Sequence, residues 1–318
     1  MLFGSDDPFE PQPLPSIILR SPLKFLARTC HYLITSARAN PKPGNPPISI
    51  VCISDTHSKT KNIPHGDVLI HAGDLTNAGT PKDIQAQIDW LSSLPHRHKI
   101  CIAGNHDTWL DPRSRMHLPD ADLSPGKLDW RDVTYLQHSS ISLYFPSHAG
   151  RRLKVYGAPQ IPACGGSEFA FQYVRGQDAW SGTIPLDTDV LVTHTPPKYH
   201  LDLPVGLGCE HLLKEIWRVK PIVHIFGHVH AGRGQETLYW DGAQRAYEQA
   251  CARSDGVIAT FLDVLLWFNV AEVVVYGGIG LLWATLWGGR ESRSRLVNAS
   301  LTYANSGRLK NEPQIIRI

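Results

Sequence analysis

What this sequence lacks narrows it before any motif is considered. Its 318 residues include six cysteines but no C-x-x-C pair, which excludes a zinc knuckle and a dithiol redox motif. Cys52 and Cys101 sit in apolar runs and read as small core residues. Thiols this sparse suit a reducing compartment, so an intracellular, cytoplasmic location is expected. There is no G-x-x-x-x-G-K-[ST] phosphate loop and no G-x-S-x-G nucleophile elbow. GLG at 206–208 and GIG at 278–280 both lack the third glycine of a dinucleotide fingerprint. The formal net charge is only +2, so the chain has no basic field and no specific nucleic-acid binding is expected. The first residues carry Asp6, Asp7 and Glu10 among prolines instead of a basic region and an apolar core, so no secretory signal is expected.

What is present changes along the chain. Residues 1–16, rich in proline and acid, are expected to be disordered. Residues 17–38 contain Arg20, Lys24, Arg28 and Arg38 and no acid, with Leu23, Leu26, Cys30 and Leu33 at helical spacing. They read as a basic amphipathic helix, packed on the domain or lying on a membrane surface. "NPKPGNPP" (40–47) is a linker. Apolar runs then end, one after another, in polar residues: "ISIVCISD" (48–55), "DVLIHAGD" (67–74), "KICIAGNHD" (99–107), "DVLVTHTPP" (189–197) and "PIVHIFGHVH" (221–230). Residues 80–95 read as a helix with Thr80 as cap, Pro81 at its first position and Ile84, Ile88 and Leu91 as its apolar stripe. Buried strands alternating with helices imply an α/β fold with its ligand site at the carboxyl ends of the strands.

The residues delivered at those ends are Asp55, His57, Asp74, Asn105, His106, Asp107, His194, His228 and His230. Nitrogen and oxygen donors without thiolate suit Zn, Mn or Fe. Two such ions about 3.5–4 Å apart clamp the oxygens of an in-line displacement. A lone strand-end Asp is usually a cap or turn residue, but that reading does not cover nine residues in five ordered motifs. His71 and His224 lie inside apolar runs and read as core groups that at most orient ligands. His200 and Arg175 are weak candidates for substrate contact.

In order, "SDTH" (54–57), "GDLTNAG" (73–79), "GNHD" (104–107), "TH" (193–194) and "GHVH" (227–230) resemble the motifs of the calcineurin-like metallophosphoesterases. "YGAPQIPACGGSEFAFQYVRG", "FGHVHAGRG" and "LVNAS" narrow the likeness to the metallophosphoesterase-domain-containing proteins related to a fetal-brain protein. The resemblance covers about residues 48–235 and 295–318. It implies a four-layer αββα sandwich and two divalent ions, Mn favoured. Asp74 would bridge them, with Asp55, His57 and His230 on one ion and Asn105, His194 and His228 on the other. It further implies hydrolysis of a small phosphodiester of the cyclic-nucleotide type by a metal-bridging hydroxide. His106 would be the general acid, held cationic by Asp107. A non-catalytic binding scaffold is the reading from another class, and the intact ligand set weighs against it.

Between Gly234 and Leu296 the chain departs from that family. "YWDGAQRAYEQACARSD" reads as a helix. The next stretch is nearly continuous apolar sequence with only Asp263 and Glu272 charged, followed by Arg290, Arg293 and Arg295. A spanning helix is not expected, because "LVNAS" must return to the side of "GHVH" and the sequence does not supply two full-length runs. The insert is expected instead to pack on the domain or form a homodimer, or to dip through 257–289, aided by 17–38, into a membrane interface with its arginines on anionic headgroups. In the latter case a lipid-linked phosphodiester or pyrophosphate becomes an alternative substrate. The expected organisation is a tail over 1–47 with the basic helix and linker, then a metallophosphoesterase domain over 48–318 interrupted at about 236–294 by an apolar helical insert.

Overall fold

The computed structural model describes residues 9–38, 43–119, 127–287 and 292–318. In chain order the regular elements begin with helices α1 (Leu14–Arg20) and α2 (Pro22–Ala37). Strands β1 (Ser49–Ile53) and β2 (Val68–Ala72), helix α3 (Pro81–Ser93) and strand β3 (His98–Ile102) follow. Next come β4 (Val133–Tyr135), β5 (Ser139–Phe145), β6 (Arg151–Ala158) and the two-residue pair β7 (Ile161–Pro162) and β8 (Gln172–Tyr173). The remainder is β9 (Val190–Thr193), α4 (Glu210–Val219), β10 (Val223–Phe226), β11 (Gly234–Tyr239), α5 (Gly242–Ala252), α6 (Val257–Leu262), α7 (Val264–Trp287), β12 (Arg293–Asn298) and β13 (Gln314–Arg317). Two compact units result, one of residues 42–236 and 296–318, the other of 1–41 and 237–295.

The larger unit is built on two sheets. One has the order β13-β1-β2-β3-β4, the other β11-β12-β10-β9-β6-β5. In the first, β1 to β4 are mutually parallel and β13 is antiparallel to β1. In the second, β6, β9 and β10 are parallel. The apolar runs are buried on both faces, as parallel strands require, and their alternation divides them. Ile50 and Cys52 of β1, Ile70 of β2 and Ile100 of β3 join Val155, Val190, Val192 and Ile225 of the other sheet in one core. Val51, Ile53, Leu69 and Cys101 point the other way, onto Ile84, Ile88 and Leu91 of α3. Helix α3 starts as the sequence predicts, with the Thr80 hydroxyl accepting from the Asp83 N–H at 3.2 Å and Pro81 in the first turn. The fold class is the α/β sandwich that the sequence predicts.

The smaller unit is helical. Residues 1–8 of the expected disordered tail lie outside the described residues, but helix begins at Leu14, earlier than the composition indicates. The helix predicted over 17–38 is two helices. Pro22 opens the second and holds Ser21 extended, at φ −159° and ψ 85°, because its ring disfavours a helical residue before it. The expected helix after β11 is α5, capped by the Asp241 carboxylate on the Gln244 N–H at 2.9 Å. The apolar stretch then forms the short α6 and the 24-residue α7. Leu23 and Ala27 of α2, Ala250 of α5, and Leu266 and Val270 of α7 make this unit's core.

Candidate metal centre

Three parallel strands side by side set down Asp55, Asp74 and Asn105 in a row, because β2 pairs with both β1 and β3. The neighbouring parallel strands β9 and β10 likewise set down His194, His228 and His230. The backbone is bent to do so. Asp55, His57, Asp74 and His228 all have positive φ, at 56°, 48°, 54° and 66°. Non-glycine residues rarely take that conformation, and a cluster of them marks a place where the surroundings impose a geometry for a purpose other than stability. Two glycines make the approach possible. A Cβ on Gly104 would collide with the Asp74 carboxylate, and one on Gly227 with Asp55 and Ser54.

The side chains converge in three overlapping groups: Asp55, His57 and His230; His57, Asp74 and His106; and Asp55, Asp74 and His194, the donor atoms within each lying within 4.8 Å of one another. His230 Nε2 is 3.3 Å from His57 Nε2 and 3.4 Å from Asp55 Oδ1. His194 Nε2 is 3.4 Å from Asp74 Oδ2 and 3.0 Å from Asn105 Oδ1. The His228 ring stands 5.3 Å from that of His194, and the His228 N–H donates to Asp55.

This arrangement fits divalent cations. His194 Nδ1 lies 2.9 Å from the Ala72 carbonyl oxygen and His230 Nδ1 2.9 Å from that of Ala304. A carbonyl only accepts, so Nδ1 carries the hydrogen in both rings and both Nε2 atoms face the carboxylates. Lone pairs of nitrogen, carboxylate and amide oxygen thus point at one another, which is favourable only around a cation or a proton. Electrostatics agree. Burial alone would raise the Asp55 and Asp74 carboxyls, but His230 beside Asp55, and His194 and His106 beside Asp74, hold both low. Burial opposes charge on His194, yet the Asp74 carboxylate lifts it to about 9, so a proton and a metal compete for the same nitrogen.

The family model of the calcineurin-like phosphoesterases matches residues 48–232, more than half of the chain. The chain belongs to the calcineurin-like phosphoesterases. The match ends where the helical insert is about to begin. Among curated proteins, metallophosphoesterase domain-containing protein 1 of Homo sapiens is 40% identical over 201 residues, covering 58% of this chain and 61% of that one. A UPF0046 protein of Caenorhabditis elegans is 37% identical over 206 residues, covering 61% of this chain and 67% of that one. A probable rhamnogalacturonate lyase C of Emericella nidulans is 45% identical over 231 residues, covering 72% of this chain. The chain spans about a fifth of the length of this last relative and about two thirds of the other two. The calcineurin-like phosphoesterases use divalent metals, and the converging donors are the groups that could hold them here.

Three further predicted residues have partners of their own. The Asp107 carboxylate does not meet the His106 ring. It is buried, accepting from the N–H groups of Gly104 (2.8 Å), Leu75 (3.1 Å) and Thr76 (2.9 Å) and from the Thr76 hydroxyl. Neighbouring residues of a turn send their side chains apart, so Asp107 ties loops together while His106 faces the site. Burial, with the Asp74 charge adding to it, pushes the Asp107 carboxyl up to about 6. His200 is buried with Nδ1 3.1 Å from Glu236 Oε1. Arg175 donates to the carbonyls of Leu207 and Ala163.

Other groups belong to the site that stand within the quoted motifs but gain a role only in the structure. The Asn77 carbonyl accepts from His106 Nδ1 at 3.1 Å, and the Phe169 ring stands 4.9 Å from the His106 ring. Asn298, in the segment after the insert, donates to the Val229 carbonyl at 2.8 Å and so steadies the loop bearing His228 and His230. The two core histidines buttress hydroxyls next to the donors, His71 on Thr56 at 2.9 Å and His224 on Thr193 at 2.8 Å.

Proposed function

We propose that the chain is a dimetal-dependent phosphodiesterase hydrolysing small phosphodiesters of the cyclic-nucleotide type, with His106 as general acid. One observation above all supports the reading: two sets of nitrogen and oxygen donors meet on Asp74 at the ends of adjacent parallel strands. Asp55, His57 and His230 would hold one divalent ion, and Asn105, His194 and His228 the other, with Asp74 shared. That donor set suits Mn, Fe or Zn, and the family resemblance favours Mn. Two ions so held would neutralise a phosphoryl group's charge and acidify water near neutral pH.

The remaining work falls to the chain's own residues. The Asn77 carbonyl accepts from Nδ1 of His106, which leaves Nε2 as the nitrogen that would pass a proton to the leaving alkoxide. The Phe169 ring walls that imidazole on one side. The His106 N–H donates to Asp74 Oδ1 at 2.8 Å, linking the acid's position to the shared carboxylate. Asp107 acts through its loop as a positioning residue.

The purified chain with Mn(II) should hydrolyse bis(p-nitrophenyl) phosphate and lose that activity to a chelator. His106→Ala should slow cyclic nucleotides, which have poor leaving groups, by about 10²–10⁴-fold and the p-nitrophenyl ester far less. Equal losses would remove His106 from the role of acid. No turnover with any divalent ion would leave the binding scaffold in its place. A second reading, a lipid-linked phosphodiester as substrate, is favoured by the exposed apolar surface of the helical unit. It predicts that lipid-linked diesters outrun 2′,3′- and 3′,5′-cyclic nucleotides in the same assay.

A further inference from the structure

In the helical unit, α7 buries one narrow stripe and leaves the rest of its circumference bare. Leu266, Asn269, Val270, Val273 and Gly277, at spacings of three and four, face inward along α2 and α5. Around the other side Phe268 is 62% exposed and Leu282 60%, and Val264, Leu265, Val275, Ile279 and Leu286 are exposed with them. The bare surface continues onto α6, where Ile258 and Leu262 are each 76% exposed, and onto Leu19 of α1 and Leu26, Tyr32 and Leu33 of α2. Such a helix, apolar all round, belongs in a core or in lipid, and an apolar patch shared by four helices exceeds what a soluble monomer tolerates.

Several polar groups of this unit are satisfied within it. The hydroxyls of Thr29, Thr35 and Thr285 donate to carbonyls of their own helices, as hydroxyls do where no water is at hand. Lys24 and Arg20 are paired with Asp255, Arg253 with Asp263, and Arg38 with Asp241. Over the unit's sequence the basic and acidic residues balance.

We propose that this face is covered by a lipid bilayer, in which α6, α7 and the outer faces of α1 and α2 lie as a monotopic anchor. A second copy of the chain fits less well. A dimer seam is a stripe with a polar rim, and pairing along α7 leaves the surfaces of α1, α2 and α6 bare. Crossing the bilayer fits less well too. At 24 residues and 1.5 Å per residue, α7 is about 36 Å long, enough to span. The chain, however, leaves and re-enters at one place: the Trp240 N–H donates to the Ser292 carbonyl at 3.1 Å, and Trp240 Nε1 to Ser294 Oγ at 3.2 Å. Helix α5 runs out, α6 turns and α7 runs back, so both ends of the excursion stay on one side. An in-plane anchor buries the apolar face to about 5–10 Å and leaves the paired charges at the helix ends at headgroup level.

The test is flotation of the purified chain with vesicles of phosphatidylcholine alone. The chain should float with them and stay bound in 0.5 M NaCl, because apolar burial and not charge drives it. The combined variant Ile258→Glu, Leu262→Glu, Ile279→Glu, Leu282→Glu should lose at least ten-fold in vesicle partitioning. Its melting curve and bis(p-nitrophenyl) phosphate turnover should be unchanged, since the four side chains face outward. Smaller pairs, Ile258→Glu with Leu262→Glu and Ile279→Glu with Leu282→Glu, replace it should it misfold. Three results overturn the proposal: wild type that stays at the bottom of the gradient, flotation that requires anionic lipid and disappears in salt, or a detergent-free dimer that the same substitutions turn into a monomer.

Discussion

The two units break the ordinary rule of burial in opposite directions. Around the strand ends, Asp55, Asp74, Asn105 and His194 are buried polar side chains. In the helical unit, Ile258, Leu262 and Leu282 are exposed apolar ones. Buried polar groups and broad bare apolar surface are the two departures that carry information, because an isolated exposed leucine does not. Both are unfavourable for the chain alone, and both become favourable once something absent from the polypeptide is supplied: cations in one case, hydrocarbon in the other. They also differ in what holds them. The polar site is over-determined, with left-handed backbone at four donors and hydrogen bonds on each imidazole Nδ1 that orients His194 and His230. The apolar face rests on the stripe that α7 buries and on ion pairs at the helix ends.

The comparison breaks most sharply at Asp74. Asp74→Ala removes the carboxylate common to both donor sets, and metal affinity should fall by more than the roughly 10–100-fold typical of an outer-shell partner. Titration calorimetry with Mn(II) would measure it. A chelator should lower the melting temperature of wild type and leave that of the variant unchanged. Retained affinity would mean that the donors act separately and share nothing.

Next in size are two leucines on opposite sides of one helix. Leu266 is fully buried in the helical core, and Leu266→Ala should cost about 2–5 kcal/mol. Leu282→Ala, on the bare side, should stay within about 0.5 kcal/mol of wild type in aqueous buffer. Denaturant unfolding followed at the helical unit would separate them. Equal costs would show that the outer face is packed in solution, and the contrast between the units would collapse.

Much of this was legible from the residues. The apolar runs announce β1, β2, β3, β9 and β10 because parallel strands are buried on both faces, and each run's last polar residues are those brought together at the site. The edge strands β4, β5, β11 and β13 announce themselves less; β5, for one, mixes exposed serine and tyrosine with buried leucine. Asp107 shows a limit of a different kind. Adjacency in "GNHD" invites an ion pair with His106, but the turn directs the two side chains apart, and only the fold shows that the carboxylate serves three backbone N–H groups. The break at Ser21 was written in Pro22 and masked by the apolar spacing on either side. Hydrophobicity alone does not say whether Leu266 or Leu282 is inside. That depends on which stripe α2 and α5 cover, a property of packing and not of composition.

The smallest expected effect separates a buried polar group with a ligand to serve from one without. His224 is fully buried, its Nε2 2.8 Å from the Thr193 hydroxyl oxygen. That hydroxyl gives its own hydrogen to the Thr195 carbonyl at 2.7 Å, so it accepts from His224 Nε2–H. Among the described residues Nδ1 has no partner, and a proton arriving there would be buried without an acceptor. Burial accordingly pushes the imidazole down to about 3 from the ordinary 6.5. With the folded value below the unfolded one, the unfolded chain binds the extra proton. The stability is therefore present above about pH 6.5 and lost as pH falls towards 3. At about 1.4 kcal/mol per pH unit, going from pH 7.5 to 5.5 should cost wild type about 1.4 kcal/mol through this residue. His224→Gln, neutral throughout, should show a shallower loss by that amount in urea unfolding at the two pH values. Parallel pH profiles would mean that His224 is already charged when folded, with an acceptor that its surroundings do not show, and the neat division between polar groups that await a cation and polar groups that are merely core would fail at this strand.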